Sequence, residues 1–303
     1  MNYGETQLSK AIYPAPSAVL ELLKPITWFP PMWAFACGVV SSGMSVREHW
    51  VTILLGVLLT GPLVCATSQA VNDWFDRHVD AINEPHRPIP SGRIPGKWGL
   101  YIGVIWTILS LLVAAYLGAV VFCAAILGLC LAWAYSAPPF RLKQNAWYGS
   151  AACGACYEGL PWVTGAAVMM AGALPDARIF MMALLYSIGA HGIMTLNDFK
   201  AIEGDKALGI KTLPVMMGSD KAARFACWVM ALPQLLVLGL LSVWQQPVAA
   251  SIIGLSLALQ FFCMRRFLTD PLKFAPWYNA TGVTLYVLGM MATAVALRDV
   301  ISA

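Results

Sequence analysis

The stretch NDWFDRHVDAINEPHRPIPSG, residues 72–92, places Asp73, Asp76, Asp80 and Glu84 within a dozen residues, directly after a long apolar run. At 3.6 residues per turn the three aspartates recur at i, i+3 and i+7, so they share one helical face, which Gln69 extends back toward the apolar run. Pro85 and Pro88 limit how far such a helix continues. A second stretch, NDFKAIEGDKALGIKTLPV, residues 197–215, repeats the pattern: Asn197-Asp198-Phe199 echoes Asn72-Asp73-Trp74, and Asp198 to Asp205 again spans seven residues. Aspartates on one face repel one another unless a cation or basic side chains lie among them. A single such cluster reads most simply as solvated loop charge; its recurrence argues for a shared ligand. Mg2+ fits best, being a hard ion that prefers oxygen and is typically held by one or two carboxylates together with substrate phosphates.

Phosphate also accounts for the interleaved bases. Arg87 follows the first motif, Lys200 and Lys206 lie within the second, Lys211 follows it, and YSAPPFRLKQN supplies Arg141 and Lys143. An Arg fork matches phosphate oxygens, and Lys supplies a mobile point charge. The expected site is a Mg2+-diphosphate clamp. Asp73, Asp76, Asp80, Asp198 and Asp205 are its metal-binding and catalytic carboxylates, and Asn72, Arg87, Arg141, Lys143, Asn197, Lys200 and Lys206 contact the substrate. Lys97, Arg224, Arg265 and Arg266 read instead as topology signals.

The elements that must position these groups are membrane helices. The chain has 303 residues, 59% hydrophobic and 11% charged, with mean hydropathy +0.69, too apolar for a soluble domain of this size. A hydrocarbon core of about 30 Å takes roughly 20 apolar residues per span. Nine spans are expected, near 25–45, 50–72, 98–117, 119–138, 147–171, 178–198, 221–243, 247–266 and 277–297. The fold class is therefore all-α and polytopic: two four-helix repeats plus one helix, with a cytoplasmic segment 1–24 and one transmembrane domain 25–303. With the N-terminus inside, 16 of the 19 Lys and Arg, from Lys10 and Lys24 to Lys273, face the cytoplasm, leaving Arg47, Arg178 and Arg298 outside. The net charge of +4 then needs no nucleic-acid partner. No cleavable signal peptide is expected. All eight cysteines fall within apolar spans, including the CxxC pair Cys153 and Cys156, and read as packing residues. The two motifs end spans that run in the same direction, which makes them a parallel repeat with its site at the repeat interface.

A clamp of this kind opening into a membrane cavity suits a diphosphate head with a long apolar tail, as in isoprenyl diphosphates. Metal and bases stabilise the charge building on the leaving diphosphate, aromatic faces steady the allylic cation, and the bundle keeps water out. NDxxDxxxD near residue 72, with a second acidic motif four helices later, resembles the UbiA superfamily of intramembrane prenyltransferases. NEPHRPIPSG, NDFKAIEGDKALGIKTLPV and KPITWFPPMW (24–33) are similar to its chlorophyll and bacteriochlorophyll synthase branch. The resemblance runs from about residue 20 to the last helix.

The resemblance implies that Mg2+ is the cofactor and that a geranylgeranyl or phytyl group passes from its diphosphate to the propionate of chlorophyllide or bacteriochlorophyllide, in a bacterial inner, photosynthetic membrane. The short N-terminus tilts the expectation toward the bacterial enzyme. It implies that Asn72, Asp73, Asp76 and Asp80 form the first metal motif and Asp198 with Asp205 the second. Many members carry an acid where this chain has Ala201, which leaves the role of nearby Glu203 open. His191, seven residues before Asp198, is placed to approach the tetrapyrrole ring or its Mg; a core histidine is the alternative. Glu158, about eleven residues into the fifth span, is a functional candidate with no evident partner. A carboxylate acceptor is already ionised at neutral pH, so no general base is required. Two other functions stay in view, a sibling enzyme acting on a quinone precursor or haem, and a cation- or proton-coupled secondary transporter. Transport carboxylates belong near the midplane, whereas these cluster at one face. Donor tail, oligomeric state and association with pigment-assembly proteins are left open by the sequence.

Overall fold

The computed structural model describes residues 13–207 and 209–302. The first half of the expected N-terminal segment, residues 1–12 including Lys10, lies outside the described residues. Among those residues the chain is helical from Pro16 to Ser302, and the one β-type contact is an isolated bridge between Asn145 and Lys211. Among the described residues seven helices are long and apolar enough to cross a membrane: Trp50–Asn83, Trp98–Leu117, Ala119–Ser136, Ala177–Ala207, Ser219–Val243, Pro247–Phe267 and Pro271–Ser302. This is an integral, multi-pass membrane protein.

The spans expected at 25–45 and 147–171 take another form. Lys24 adopts a left-handed backbone and Pro25 opens a short 3-10 turn, so the first apolar helix is only Phe29–Ser41, 13 residues. That is shorter than the roughly 20 residues a bilayer core requires. The run 146–169 is helical throughout, but it is divided by a π turn at Ala155–Gly159 that carries Glu158. A second π turn, Leu59–Cys65, surrounds Pro62 in the helix leading to the first motif. Proline lacks the N–H an α-turn would use, and the wider turn absorbs that gap.

Small residues set how closely the helices approach. A Cβ at Gly38 would overlap the Trp162 carbonyl, and one at Gly165 would overlap the Phe35 carbonyl, so Phe29–Ser41 and Leu160–Met169 meet backbone to backbone. One buried cluster gathers residues of Ala177–Asp198, Ser219–Val243, Pro247–Phe267 and Pro271–Ser302; another gathers residues from Phe35 to Met169. Residues of Ala66–Asn83, Ala119–Ser136, Ala177–Asp198 and Pro271–Ser302 together line a cavity of about 640 Å³, within the range of small-molecule sites.

Candidate functional site

The first motif occupies the last turns of the helix Ala66–Asn83, which stops two residues before Pro85 as expected. Its three aspartates face basic side chains. Asp73, 1% exposed, accepts a hydrogen bond from Lys24 Nζ at 2.6 Å, with Arg87 Nη1 at 3.6 Å. Asp80 accepts from the same Arg87 nitrogen at 2.9 Å. Asp76 takes both its bonds from Lys143 Nζ, at 2.6 and 2.5 Å, with Arg141 Nη2 at 3.6 Å. At Arg87 burial works against the charge, but Asp73 and Asp80 outweigh it and hold the guanidinium above its usual range. At Lys143 burial dominates and pushes the ammonium down despite Asp76. Among the described residues Asp73 Oδ2 is the fully buried oxygen of the set without a hydrogen bond.

The second motif is less regular than its spacing suggests. The helix Ala177–Asp198 ends at the first aspartate, a 3-10 turn follows at Phe199–Ala201, and Asp205 sits on a separate short helix, Ile202–Ala207. Asp205 accepts from Thr212 Oγ1 at 3.2 Å, and its charge acts on Asp198 together with that of Lys200. Asp198 has no hydrogen bond or ion pair among the described residues.

Three features bring the motifs to one place. Asn72 and Asn197, the two asparagines that open the motifs, line the same cavity, and Lys200 lines it with them. The charges of both Asp76 and Asp198 reach the Tyr135 hydroxyl. The loop after the second motif is also stitched to the loop of Arg141 and Lys143: Lys211 N donates to the Gln144 carbonyl at 3.1 Å and Ala146 N to the Lys211 carbonyl at 3.1 Å. Asn145 then caps the helix that follows, its Oδ1 accepting from Trp147 N and Tyr148 N. The rest of the cavity is largely apolar, with Pro30, Pro31, Val64, Leu131, Ile193, Val283 and Val287 on its walls.

Two expected substrate contacts lie elsewhere. Lys206 is exposed and pairs with Glu203 at 3.3 Å. His191 packs between Trp147 and Phe225, both ring centroids at 5.7 Å, and is not among the cavity-lining residues. The cavity face of its helix runs Ala190, Ile193, Met194 and Asn197, and one residue of offset turns a side chain by about 100°. Neither His191 ring nitrogen has a hydrogen bond, so the alternative of a hydrogen-bonded core histidine does not describe it either.

Several residues escaped the sequence reading. Lys24, counted only as inside charge, is the partner of Asp73. Asn279 Nδ2 donates to Asn197 Oδ1 at 2.9 Å, and Asn72 Nδ2 donates to Ser136 Oγ at 3.1 Å. An amide inside the last apolar span was the available signal for Asn279. Cys153 and Cys156 both line the cavity as free thiols.

The UbiA prenyltransferase family model matches residues 13–296. The chain belongs to this family. Within it, the bacteriochlorophyll synthase 33 kDa chain of Cereibacter sphaeroides is 59% identical over 285 residues, 94% of each chain. The chloroplastic chlorophyll synthase of Oryza sativa subsp. japonica is 40% identical over 91% of this chain and 76% of its own. A UbiA homologue from Archaeoglobus fulgidus, solved bound to DMAPP and Mg2+, is similar in fold with a TM-score of 0.67 at 21% identity, covering 89% of this chain and 99% of that one. The family's fold is thus shared across low identity, while the pigment synthases are close in sequence.

Among the described residues no group of three or more His, Cys, Asp or Glu stands ready to hold a metal. The donor set nevertheless fits Mg2+, because that ion takes few protein carboxylates and completes its shell with water and phosphate. Asp73 Oδ2 is an orphaned hard oxygen, and Asp198, next to the cavity-lining Asn197 in the chain, has no hydrogen bond or ion pair among the described residues.

Proposed function

We propose that this chain transfers a geranylgeranyl or phytyl group from its diphosphate to the propionate carboxylate of bacteriochlorophyllide or chlorophyllide, forming the ester. The observation that carries the reading is the single cavity lined by Asn72 of one acidic motif and Asn197 of the other, in a chain 59% identical to a bacteriochlorophyll synthase chain. The bacterial pigment is the favoured acceptor on that identity. We place the protein in a bacterial photosynthetic membrane, with nine membrane segments once the short helix Phe29–Ser41 and the divided run 146–169 are counted, and with the N-terminus inside.

The reaction breaks the C1–O bond of the allylic diphosphate, whose electron pair leaves with the diphosphate. A propionate oxygen then bonds to C1, and no proton need move. Bound Mg2+ would supply charge to the leaving group, held by Asp73, Asp76 and Asp198 with Asp80 and Asp205 behind them. Lys24, Arg87, Arg141 and Lys143 now rest on Asp73, Asp80 and Asp76 and are within reach of a diphosphate seated at these carboxylates. Their positive charge favours the transition state, in which the diphosphate becomes more negative. Asn72 and Asn197, fixed by Ser136 and Asn279, orient donors and acceptors at the mouth of the apolar chamber. The Tyr135 and Tyr157 rings on its wall face the cation left behind.

Purified protein supplied with Mg2+ and geranylgeranyl diphosphate is offered bacteriochlorophyllide, chlorophyllide and 4-hydroxybenzoate. Esterification of a pigment is expected; prenylation of 4-hydroxybenzoate alone would move the chain to the quinone-precursor enzymes.

A further inference from the structure

Glu158 stands apart from the acidic motifs. It is 5% exposed, sits in the π turn Ala155–Gly159 and lines the cavity, and its Oε2 is buried with no hydrogen-bond partner. Its depth follows from the neighbouring helix: Gly159 packs against Ser187 and Ala183, ten residues or more before Asn197. At 1.5 Å per residue that sets Glu158 roughly 15 Å from the asparagine end of the chamber.

Among the described residues no basic side chain pairs with this carboxylate. Lys200 is the one Lys or Arg among the cavity-lining residues, and it lies at the opposite end. The groups that Glu158's charge reaches are Cys37, Tyr186 and Tyr286, none of them basic. Two hydroxyls that its charge reaches are engaged: Tyr286 donates to the Tyr186 carbonyl at 2.6 Å, and Tyr186 pairs with Thr293 at 2.8 Å. Val64, Gly128, Ala190 and Val287 are among the apolar residues that line the same cavity. A carboxylate stripped of water without replacement is costly, and a π turn that delivers one into a cavity is a recurrent mark of function.

Of the two substrates, the prenyl tail offers only hydrocarbon, and the diphosphate would repel the group. The tetrapyrrole acceptor brings a magnesium ion with an open axial position, and that hard ion prefers oxygen. We propose that the Glu158 carboxylate is the axial ligand of the acceptor's central magnesium, holding the macrocycle deep in the cavity with its propionate toward the diphosphate end. One carboxylate lone pair fills the open position and displaces the water carried there; no electron is transferred, and the bond reverses on product release. The assignment rests on the pigment-acceptor reading above and adds to it the group that recognises the metal.

The test titrates the purified full-length chain, without prenyl diphosphate, with bacteriochlorophyllide and its metal-free counterpart. Affinity is read together with the visible absorption band that moves with magnesium coordination. The wild type is expected to bind the magnesium form at least about tenfold more tightly, with the band shifted to its ligated position. Glu158→Leu, which has no donor atom, should lose most of that preference while binding the metal-free ring as before. A bound pigment whose band stays where it lies in a non-ligating solvent overturns the assignment on the wild type itself, whatever the variant does. Wild-type protein that binds and esterifies bacteriochlorophyllide, with a preference that Glu158→Leu retains, overturns the ligand and leaves the transfer reaction standing. Wild-type protein that binds neither macrocycle overturns both.

Discussion

Asp73→Asn separates a structural role for the first motif from a chemical one. Asp73 is 1% exposed and meets Lys24 at 2.6 Å, while the Lys24 side chain keeps 26% exposure. Breaking a buried pair by removing one partner costs about 3–5 kcal/mol. Lys24 can swing toward water, so the lower end of that range, about 3 kcal/mol, is expected here. Loss of one oriented electrostatic group from a reaction site typically slows turnover by about 10²–10³. Adding Lys24→Met removes the stranded ammonium, and the double variant should regain most of the lost melting temperature in detergent while remaining as slow as Asp73→Asn. Thermal unfolding and Mg2+-dependent ester formation, measured on the wild type, both single variants and the double, close the cycle. Turnover restored in the double variant would refute the reasoning, because Asp73 would then serve only to satisfy Lys24.

Asp76→Ala and Asp198→Ala are each expected to abolish Mg2+-dependent transfer in a protein that stays folded in detergent, and full turnover by either would count against a shared clamp. Asn279→Leu leaves Asn197 unheld; KM for the prenyl diphosphate should rise about tenfold, the scale of one lost hydrogen bond to a charged ligand, with the melting temperature little changed. Burial disfavours the charged form of Lys143, so its ammonium is lost at a pH below the ordinary lysine value of about 10.4. The alkaline limb of kcat/KM should reflect that loss, and Lys143→Arg, which stays charged, should move the limb upward. The sign for folding is opposite: the unfolded chain holds this proton more tightly, so the Lys143 contribution to stability rises with pH between the folded and unfolded values. An unchanged alkaline limb in Lys143→Arg would remove Lys143 from the charge balance of the site.

The amino-acid sequence by itself determined that this is a helical membrane protein, because runs of apolar residues long enough to cross a bilayer admit no other backbone that satisfies its own hydrogen bonds. It also marked Asp73, Asp76 and Asp80 as one face and paired them with a second motif, since periodicity and repetition are local properties. The limits of that reading were equally local in origin. A π turn leaves hydropathy untouched, so the division of 146–169 at Glu158 and the shortness of Phe29–Ser41 were invisible in the pattern of apolar runs. Seven residues of spacing implied that Asp198 and Asp205 share a helix, but a 3-10 turn intervenes. His191 lies one position off the cavity face of its helix, a rotation that sequence spacing relative to Asp198 did not reveal. Only the tertiary structure decided which base answers which carboxylate: Lys24, 49 residues from Asp73, and Lys143, 67 from Asp76, meet their partners because separate helices converge. It alone also showed that Glu158 Oε2 is buried without a hydrogen bond among the described residues, since the absence of a neighbour is a property of the packed bundle and not of any segment within it.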